Sequence, residues 1–420
     1  MAITLSHGQS AASAVSTLKK LHHRIVIIGG GTAGITLAAR LARAGQTDMA
    51  IIEPSSTHFY QPMWTLVAGG VVGANTTARP EERYVPRNVH WVQDYAQEID
   101  PENKLVTTRG GSVIGYDFLV VAPGIQLDWH KVEGLAETLG KNMVTSNYRF
   151  DLAPKTWEFL QQFKGGTALF TAPGTPIKCG GAPQKAMYLS ADYLRRKGIL
   201  KDTKVIFGSA GTTLFGTPEV RKVLEGVVAR YGIEPRFYRE LAAVDPVKKE
   251  AIFELKNDPA KSRETIPFDF LHVVPPQSAP DFLKNGPLAV PGDALGWVDV
   301  DINTLQHKRY PDVFALGDCA NLPTAKTGAA VRKQAPVVVQ NLLSVMSGKT
   351  PQAKYNGYSS CPLVTGYGKL QLAEFIYGTP NEWHPTIPLI DTKKERYDMW
   401  LLKRYGLPFL YWNLMLRGLV

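Results

Sequence analysis

Two cysteines in this chain are surrounded by the residue types that thiol chemistry needs. Cys179 stands in TPIKCGGAPQK, Thr175 to Lys185, with Lys178 before it and Gly180 and Gly181 after it. The helix-like stretch PQKAMYLSADYLRR, Pro183 to Arg196, begins just beyond. A thiol beside a cation and near a helix N-terminus is favoured as the thiolate, its nucleophilic form. Cys361 stands in SSCPLVTGYG, Ser359 to Gly368, where Pro362 and the glycines beyond predict an exposed loop edge. The third cysteine, Cys319, follows Gly317-Asp318 and is expected to pack quietly. With only 3 cysteines in 420 residues, a disulfide-stapled secreted scaffold is disfavoured. Free cysteines are most often buried and inert. Composition therefore leaves two readings open, a pair of core thiols or two halves of one site for thiol–disulfide exchange.

A redox site must be held by a scaffold, and the N-terminal third supplies a clear one. In HRIVIIGGGTAGITLAARLARAGQTDMAIIEPS an apolar strand, Ile25 to Ile28, runs into Gly29-Gly30-Gly31-Thr32-Ala33-Gly34. Helical residues follow from Ile35 to Ala44, and a second apolar strand ends in Glu53. This is a G-x-G-x-x-G fingerprint in its required strand–turn–helix setting. Gly29 makes the tight turn, Gly31 lets a pyrophosphate approach the backbone, and Gly34 allows close helix–strand packing. Phosphate charge then lies at the helix N-terminus, and Glu53 can accept hydrogen bonds from ribose hydroxyls. Two later stretches complete the pattern. YDFLVVAPG is an apolar strand turning at Gly124, and TLQHKRYPDVFALGDCAN is a short strand ending in Gly317-Asp318.

Between them, residues 145–272 read as a second Rossmann-like unit. It contains the helical APKTWEFLQQF, the strand GTALFTAP and the run DTKVIFGSAGTTLFGTPEVRK. After the strand Lys204 to Phe207 the glycines are Gly208, Gly211 and Gly216, which miss the fingerprint spacing. Leu214 and Phe215 stand where a pyrophosphate needs open backbone. The topology is expected without a nicotinamide site, so the electrons are expected to come from something other than NAD(P)H.

The remaining signals bound the class. A chain of this length requires two or more domains. The net charge of +10 suits small anions or an anionic membrane surface. No Lys/Arg block or nucleic-acid motif accompanies it, so no nucleic-acid partner is expected. No histidine pair or acid cluster suggests a metal. No apolar run reaches the roughly 18 residues that a spanning helix needs. The first 24 residues lack acids and end in a basic cluster, which predicts a targeting segment or a tail. The C-terminal KKERYDMWLLKRYGLPFLYWNLMLRGLV mixes aromatic and basic residues, and Gly406-Leu407-Pro408 is expected to break it into two short helices resting in one leaflet.

The Gly29, Gly124 and Asp318 motifs together resemble the two-dinucleotide-binding-domain flavoproteins of the disulfide-reductase type. The resemblance implies FAD, with Asp318 on its ribityl chain and the helix from about Thr327 aimed at the pyrimidine side of the ring; Lys326 and Thr327 are assigned to the cofactor with it. HFYQPMWTLVAGG, KCGGAPQKAMYLS, GWVDVDINTLQHKRYPDVFALGDCANLPTAKT, YSSCPLVTGYGKLQLAEF and LPFLYWNLMLRG narrow this further, to a likeness with sulfide:quinone oxidoreductases of the mitochondrial type running from about Arg24 to the C-terminus. That family implies a redox pair at Cys179 and Cys361, hydrogen sulfide as substrate, and a persulfide at the position of Cys361. Its sulfur passes to a small acceptor such as glutathione, sulfite or sulfide, and two electrons pass through FAD to a membrane quinone. Lys185 and Lys403 match lysines near the quinone headgroup, and HFYQP is placed along the flavin. The expected fold is α/β, with two Rossmann-like domains and a C-terminal membrane-interface segment. The FAD domain is split into 24–144 and 273–348, the second domain covers 145–272, and the C-terminal region covers 349–420. The implied location is a mitochondrial inner or bacterial plasma membrane, bound peripherally. A type II NADH:quinone oxidoreductase is the competing reading, but it needs the missing second fingerprint and no cysteine pair.

Overall fold

The computed structural model describes residues 21–420. The proposed targeting segment lies largely outside the described residues, and its last positions begin the first strand, Leu21–Ile28. Ile25 to Ile28 are fully buried, as expected of a central strand in a parallel sheet covered on both faces. This strand lies between Met49–Ile52 and Val113–Val121, parallel to both. Val313–Ala315 joins Val113–Val121 from far along the chain, also in parallel, in a 7-stranded sheet. The C-terminal ends of these strands therefore meet at one edge, where open α/β sheets bind their ligands.

The glycine fingerprint forms as its spacing predicts. Gly29 has φ +99°, and a side chain there would strike the Ala122 carbonyl in the turn that leads to Gly124. A Cβ on Gly34 would overlap the Gly29 carbonyl, which is how closely the helix Thr32–Arg43 approaches its strand.

The second unit is a 5-stranded parallel sheet in the order Val144–Thr145, Phe270–His272, Gly166–Ala172, Thr203–Ser209, Glu234–Arg236. Helices Leu152–Gln162, Ala182–Arg196 and Pro218–Tyr231 connect and cover it. After Thr203–Ser209 the side chain of Leu214 is buried in the domain core, and Gln184 Nε2 donates to the Leu214 carbonyl at 2.6 Å. Phe215 packs edge-on against Phe375, 6.0 Å between ring centres. Both bulky side chains that follow this strand are thus packed into the fold. The two connections between the domains pair with each other, Gln126–Leu127 antiparallel to Gln277–Ser278.

The C-terminal region adds an antiparallel hairpin, Ser359–Gly366 with Lys369–Ile376, and a run of helix. The expected break at Gly406-Leu407-Pro408 is absent. Tyr397–Leu401 continues through a π-helical turn, Leu402–Gly406, into Leu407–Asn413, with Gly406 at φ −68° and ψ −47°. The wider π turn shifts the hydrogen-bond register just ahead of Pro408, and a proline is tolerated in the first turn of the helix that follows. Met399, Trp400, Tyr411, Trp412, Met415 and Leu416 are buried in the core around the first helix, while Tyr397, Leu401, Tyr405 and Phe409 are exposed. Four-residue spacing places these last side chains in one stripe. Among the described residues, no helix is long and apolar enough to cross a membrane.

Candidate active site

Cys179 lies in the turn between the strand Gly166–Ala172 and the helix Ala182–Arg196, and Cys361 lies in the strand Ser359–Gly366. That strand packs against the helix, and the two sulfurs come to 3.5 Å. The two cysteines, 182 positions apart, are therefore neighbours, both as free thiols. One expectation is corrected. Cys361 is not on a loop edge but inside a strand, 1% exposed, because the strand Ser359–Gly366 is covered on both faces, with only Pro362 partly exposed.

The backbone of Cys179 is held in a strained left-handed conformation, φ 52°. Its N–H donates to the Lys326 carbonyl at 2.7 Å, and its carbonyl accepts from Ala182 N–H at 2.7 Å and from the Tyr148 hydroxyl at 3.4 Å. Lys185, one helical turn on, is buried and brings Nζ to 3.0 Å from the Cys179 sulfur. The Cys179 thiol is held well below its usual range by the hydrogen bond from Cys361 and by the Lys185 ammonium, against the cost of burial. Cys361 moves up, because its proton is held in the bond to Cys179 and because it is buried. Both shifts run the same way, favouring the negative charge on Cys179 and the proton on Cys361. Burial alone would lower Lys185, but the neighbouring sulfurs outweigh it and raise its pKa.

Lys403 is also buried, 1% exposed, and donates to the Pro62 carbonyl at 2.7 Å. Burial, followed by the Lys185 charge, lowers it to about 7. Lys178 donates to Gln61 at 2.6 Å and is lowered to about 8 by burial, with Asp318 opposing. Cys319 is fully buried in the core beneath the first sheet, and burial pushes its thiol up to about 12.

The residues assigned to a flavin follow the C-terminal ends of parallel strands of the first sheet, and the Lys326 carbonyl joins them to Cys179. Gly31 has open space where a side chain would stand, at the N-terminus of the helix Thr32–Arg43. Glu53, at the end of its strand, accepts from Gly30 N–H at 2.7 Å and Ser55 N–H at 2.8 Å, which fixes it beside the loop. Asp318 is half-buried, and burial raises its carboxyl above the usual range. Among the described residues no hydrogen bond or ion pair reaches this carboxylate, which suits a polyhydroxyl ligand. Lys326 turns its ammonium onto the carbonyls of Asp318, 2.6 Å, and Ala320, 3.1 Å, and so holds the turn that presents Asp318. Thr327 caps the helix Gly328–Met346, accepting from Ala330 N–H at 3.1 Å. A bare-backbone cradle, a ribose-level acid, an unpartnered carboxylate and a second helix N-terminus together fit a flavin dinucleotide.

One cluster had no individual roles assigned from sequence. His58 Nδ1 meets Glu81 at 2.9 Å and Nε2 meets the Tyr411 hydroxyl at 2.6 Å; that hydroxyl also meets Thr32 Oγ1 at 2.8 Å. HFYQP marked the His58 end, but Tyr411 lies 379 positions from Thr32 and carries no local signal.

Fold and site define a flavin-dependent oxidoreductase of the two-dinucleotide-domain class. Residues 23–160 match the family model described as pyridine nucleotide-disulphide oxidoreductase. The chain is 45% identical over 401 residues to the mitochondrial sulfide:quinone oxidoreductase of Mus musculus, covering 95% of this chain and 87% of that one. It is 43% identical to the protein of the same name from Dictyostelium discoideum, covering 94% and 86%. The solved sulfide:quinone oxidoreductase of Aquifex aeolicus has the same fold, with a TM-score of 0.79 at 21% identity, covering 95% and 92%. The chain belongs to the sulfide:quinone oxidoreductase family.

Proposed function

We propose that this chain oxidises hydrogen sulfide at the Cys179–Cys361 pair and delivers two electrons through FAD to a membrane quinone. The observation that carries this reading is the 3.5 Å approach of the two sulfurs, with the Lys185 ammonium 3.0 Å from one of them. When the pair is oxidised, HS⁻ attacks the Cys361 sulfur. The sulfur–sulfur bond breaks, Cys179 departs as thiolate, and Cys361 becomes a persulfide. The place of Lys185, 3.0 Å from Cys179, supports this direction, because the sulfur with the more stable thiolate is the better leaving group. The outer sulfur then passes to a small nucleophile (glutathione, sulfite or sulfide itself), leaving Cys361 as thiolate. Loss of two electrons from the two thiolates re-forms the disulfide. Bound FAD supplies the acceptor for that electron pair and the donor to the quinone.

The missed fingerprint spacing at Gly208, Gly211 and Gly216, with Leu214 buried in the domain core, supports sulfide, not NAD(P)H, as electron source. The exposed stripe Tyr397, Leu401, Tyr405 and Phe409 supports a face resting in one leaflet, with the buried Lys403 on the inner side of the same helical run. The test is anaerobic addition of sulfide, and in parallel NADH, to the FAD-loaded protein. Bleaching of the flavin by sulfide alone is expected. Bleaching by NADH alone would hand the chain to the type II NADH:quinone oxidoreductase reading.

Lys403 gives this reading a pH dependence. As a cation it would stabilise a quinone oxygen that gains negative charge. Because its folded-state pKa is lowered to about 7, it is charged only below that value. Reoxidation of the reduced enzyme by a soluble quinone should therefore slow as pH rises through 7, by up to about tenfold per unit. Stopped-flow reoxidation isolates this step from the ionisation of sulfide. A profile that Lys403→Met leaves unchanged would remove Lys403 from the quinone site.

A further inference from the structure

Gly181 stands two residues beyond Cys179, at the N-cap of the helix Ala182–Arg196. Its backbone, φ −87° and ψ −5°, is an ordinary helical conformation open to any residue, so conformational freedom gives no reason for a glycine. Its surroundings do. A Cβ built there would lie 2.6 Å from the Cys361 sulfur and would overlap Leu363 Cδ2. The backbone is held on both sides. Gly181 is fixed by its neighbours, since Ala182 N–H donates to the Cys179 carbonyl at 2.7 Å and Lys185 N–H to the Gly181 carbonyl at 3.1 Å. Cys361 is fixed in a paired strand opposite Ala373. The adjacent Gly180 is different, with nothing within 4 Å of its would-be side chain.

We propose that Gly181 is a positioning residue of the cysteine pair, because its missing side chain leaves the room in which the Cys361 sulfur approaches Cys179. The hairpin can then press Cys361 onto the helix without a spacer between them, and exchange between the two sulfurs depends on that contact. This inference rests on the redox-pair reading given above.

The test compares Gly181→Ala with Gly180→Ala in the flavin-loaded protein, equilibrated anaerobically in glutathione redox buffers. Free thiols are alkylated and counted by mass. Gly180→Ala is expected to form the Cys179–Cys361 disulfide at the same glutathione ratio as the parent. Gly181→Ala should need a ratio at least about tenfold more oxidising, with its flavin spectrum retained. A Gly181→Ala midpoint within about twofold of the parent would overturn the proposal. Gly181→Ala combined with Leu363→Ala removes the aliphatic clash and keeps the one with sulfur. It should remain displaced, and it carries the measurement if the single variant does not hold flavin; full recovery would place the fault at Leu363 and overturn the proposal. Sulfide and quinone are absent from this equilibrium. Failure of the redox-pair reading would appear instead as unchanged sulfide oxidation when either cysteine is replaced.

Discussion

Replacing Cys361 with serine is expected to abolish bleaching of the enzyme by sulfide, slowing it by at least about 1,000-fold. No sulfur–sulfur bond can form at a serine, so HS⁻ loses its target and the persulfide has no carrier. The substitution is informative because it removes little else. A serine hydroxyl at that position can still donate to Cys179, and Lys185 stays in place, so Cys179 should remain a thiolate that alkylates rapidly near neutral pH. Cys179→Ser should be equally inactive towards sulfide, since Cys361 then has no sulfur partner with which to form the bond that HS⁻ attacks. Stopped-flow flavin absorbance reads the loss, and alkylation kinetics read the surviving thiol. Sulfide-driven bleaching at the parental rate in either variant would sink the mechanism.

The second large effect is expected from Lys185→Met. The side chain is about the right size for the site, but the ammonium 3.0 Å from Cys179 is gone. Breaking one side of a buried charge pair typically costs about 3–5 kcal/mol. Cys179 can escape part of that cost by taking up a proton, so its titration should move towards the ordinary thiol range, with alkylation at pH 7 slower by at least about tenfold. Lys403 should respond as well. Two opposing changes reach it, since the lost Lys185 charge had lowered it and the Cys179 charge that fades with it had raised it. Lys185→Arg keeps a cation and should preserve most of the Cys179 reactivity. If Lys185→Met alkylates at the parental rate, the ammonium does not set the thiolate, and the assignment of Cys179 as leaving group falls with it.

How much of this was legible in the sequence depended on distance along the chain. The first dinucleotide fold is a local event. A strand, a glycine turn and a helix within twenty-odd residues state their own geometry, and Gly29 and Gly34 do what their spacing says. Asp318 was legible because it ends a short apolar strand, although the pairing of that strand with Leu119–Val121 was not. The cysteines were different. Nothing in the two segments encodes their approach, which arises when the hairpin packs on the helix Ala182–Arg196; only resemblance to a family joined them. Local cues misled at two points. Pro362 and nearby glycines read as loop, yet Cys361 lies in a strand covered on both faces. Gly406-Leu407-Pro408 read as a helix break, yet a π turn carries the helix past it. The burial of Lys403 was invisible for a related reason, since a lysine in an aromatic and basic run looks exposed until the run is docked.

The clasp between Thr32 and Tyr411 has a consequence for how the molecule is made. A ribosome adds about 5–20 residues per second. The 379 positions between the two hydroxyl groups therefore emerge over tens of seconds. Throughout that time the first helix lacks Trp412, Met415 and Leu416, which cover it in the finished core, and Gly418, whose Cβ would lie 2.8 Å from the Ala39–Arg40 backbone. The nucleotide fold that the chain announces first is thus among the last to be sealed, and a nascent chain that stops a few residues short leaves its apolar flank bare.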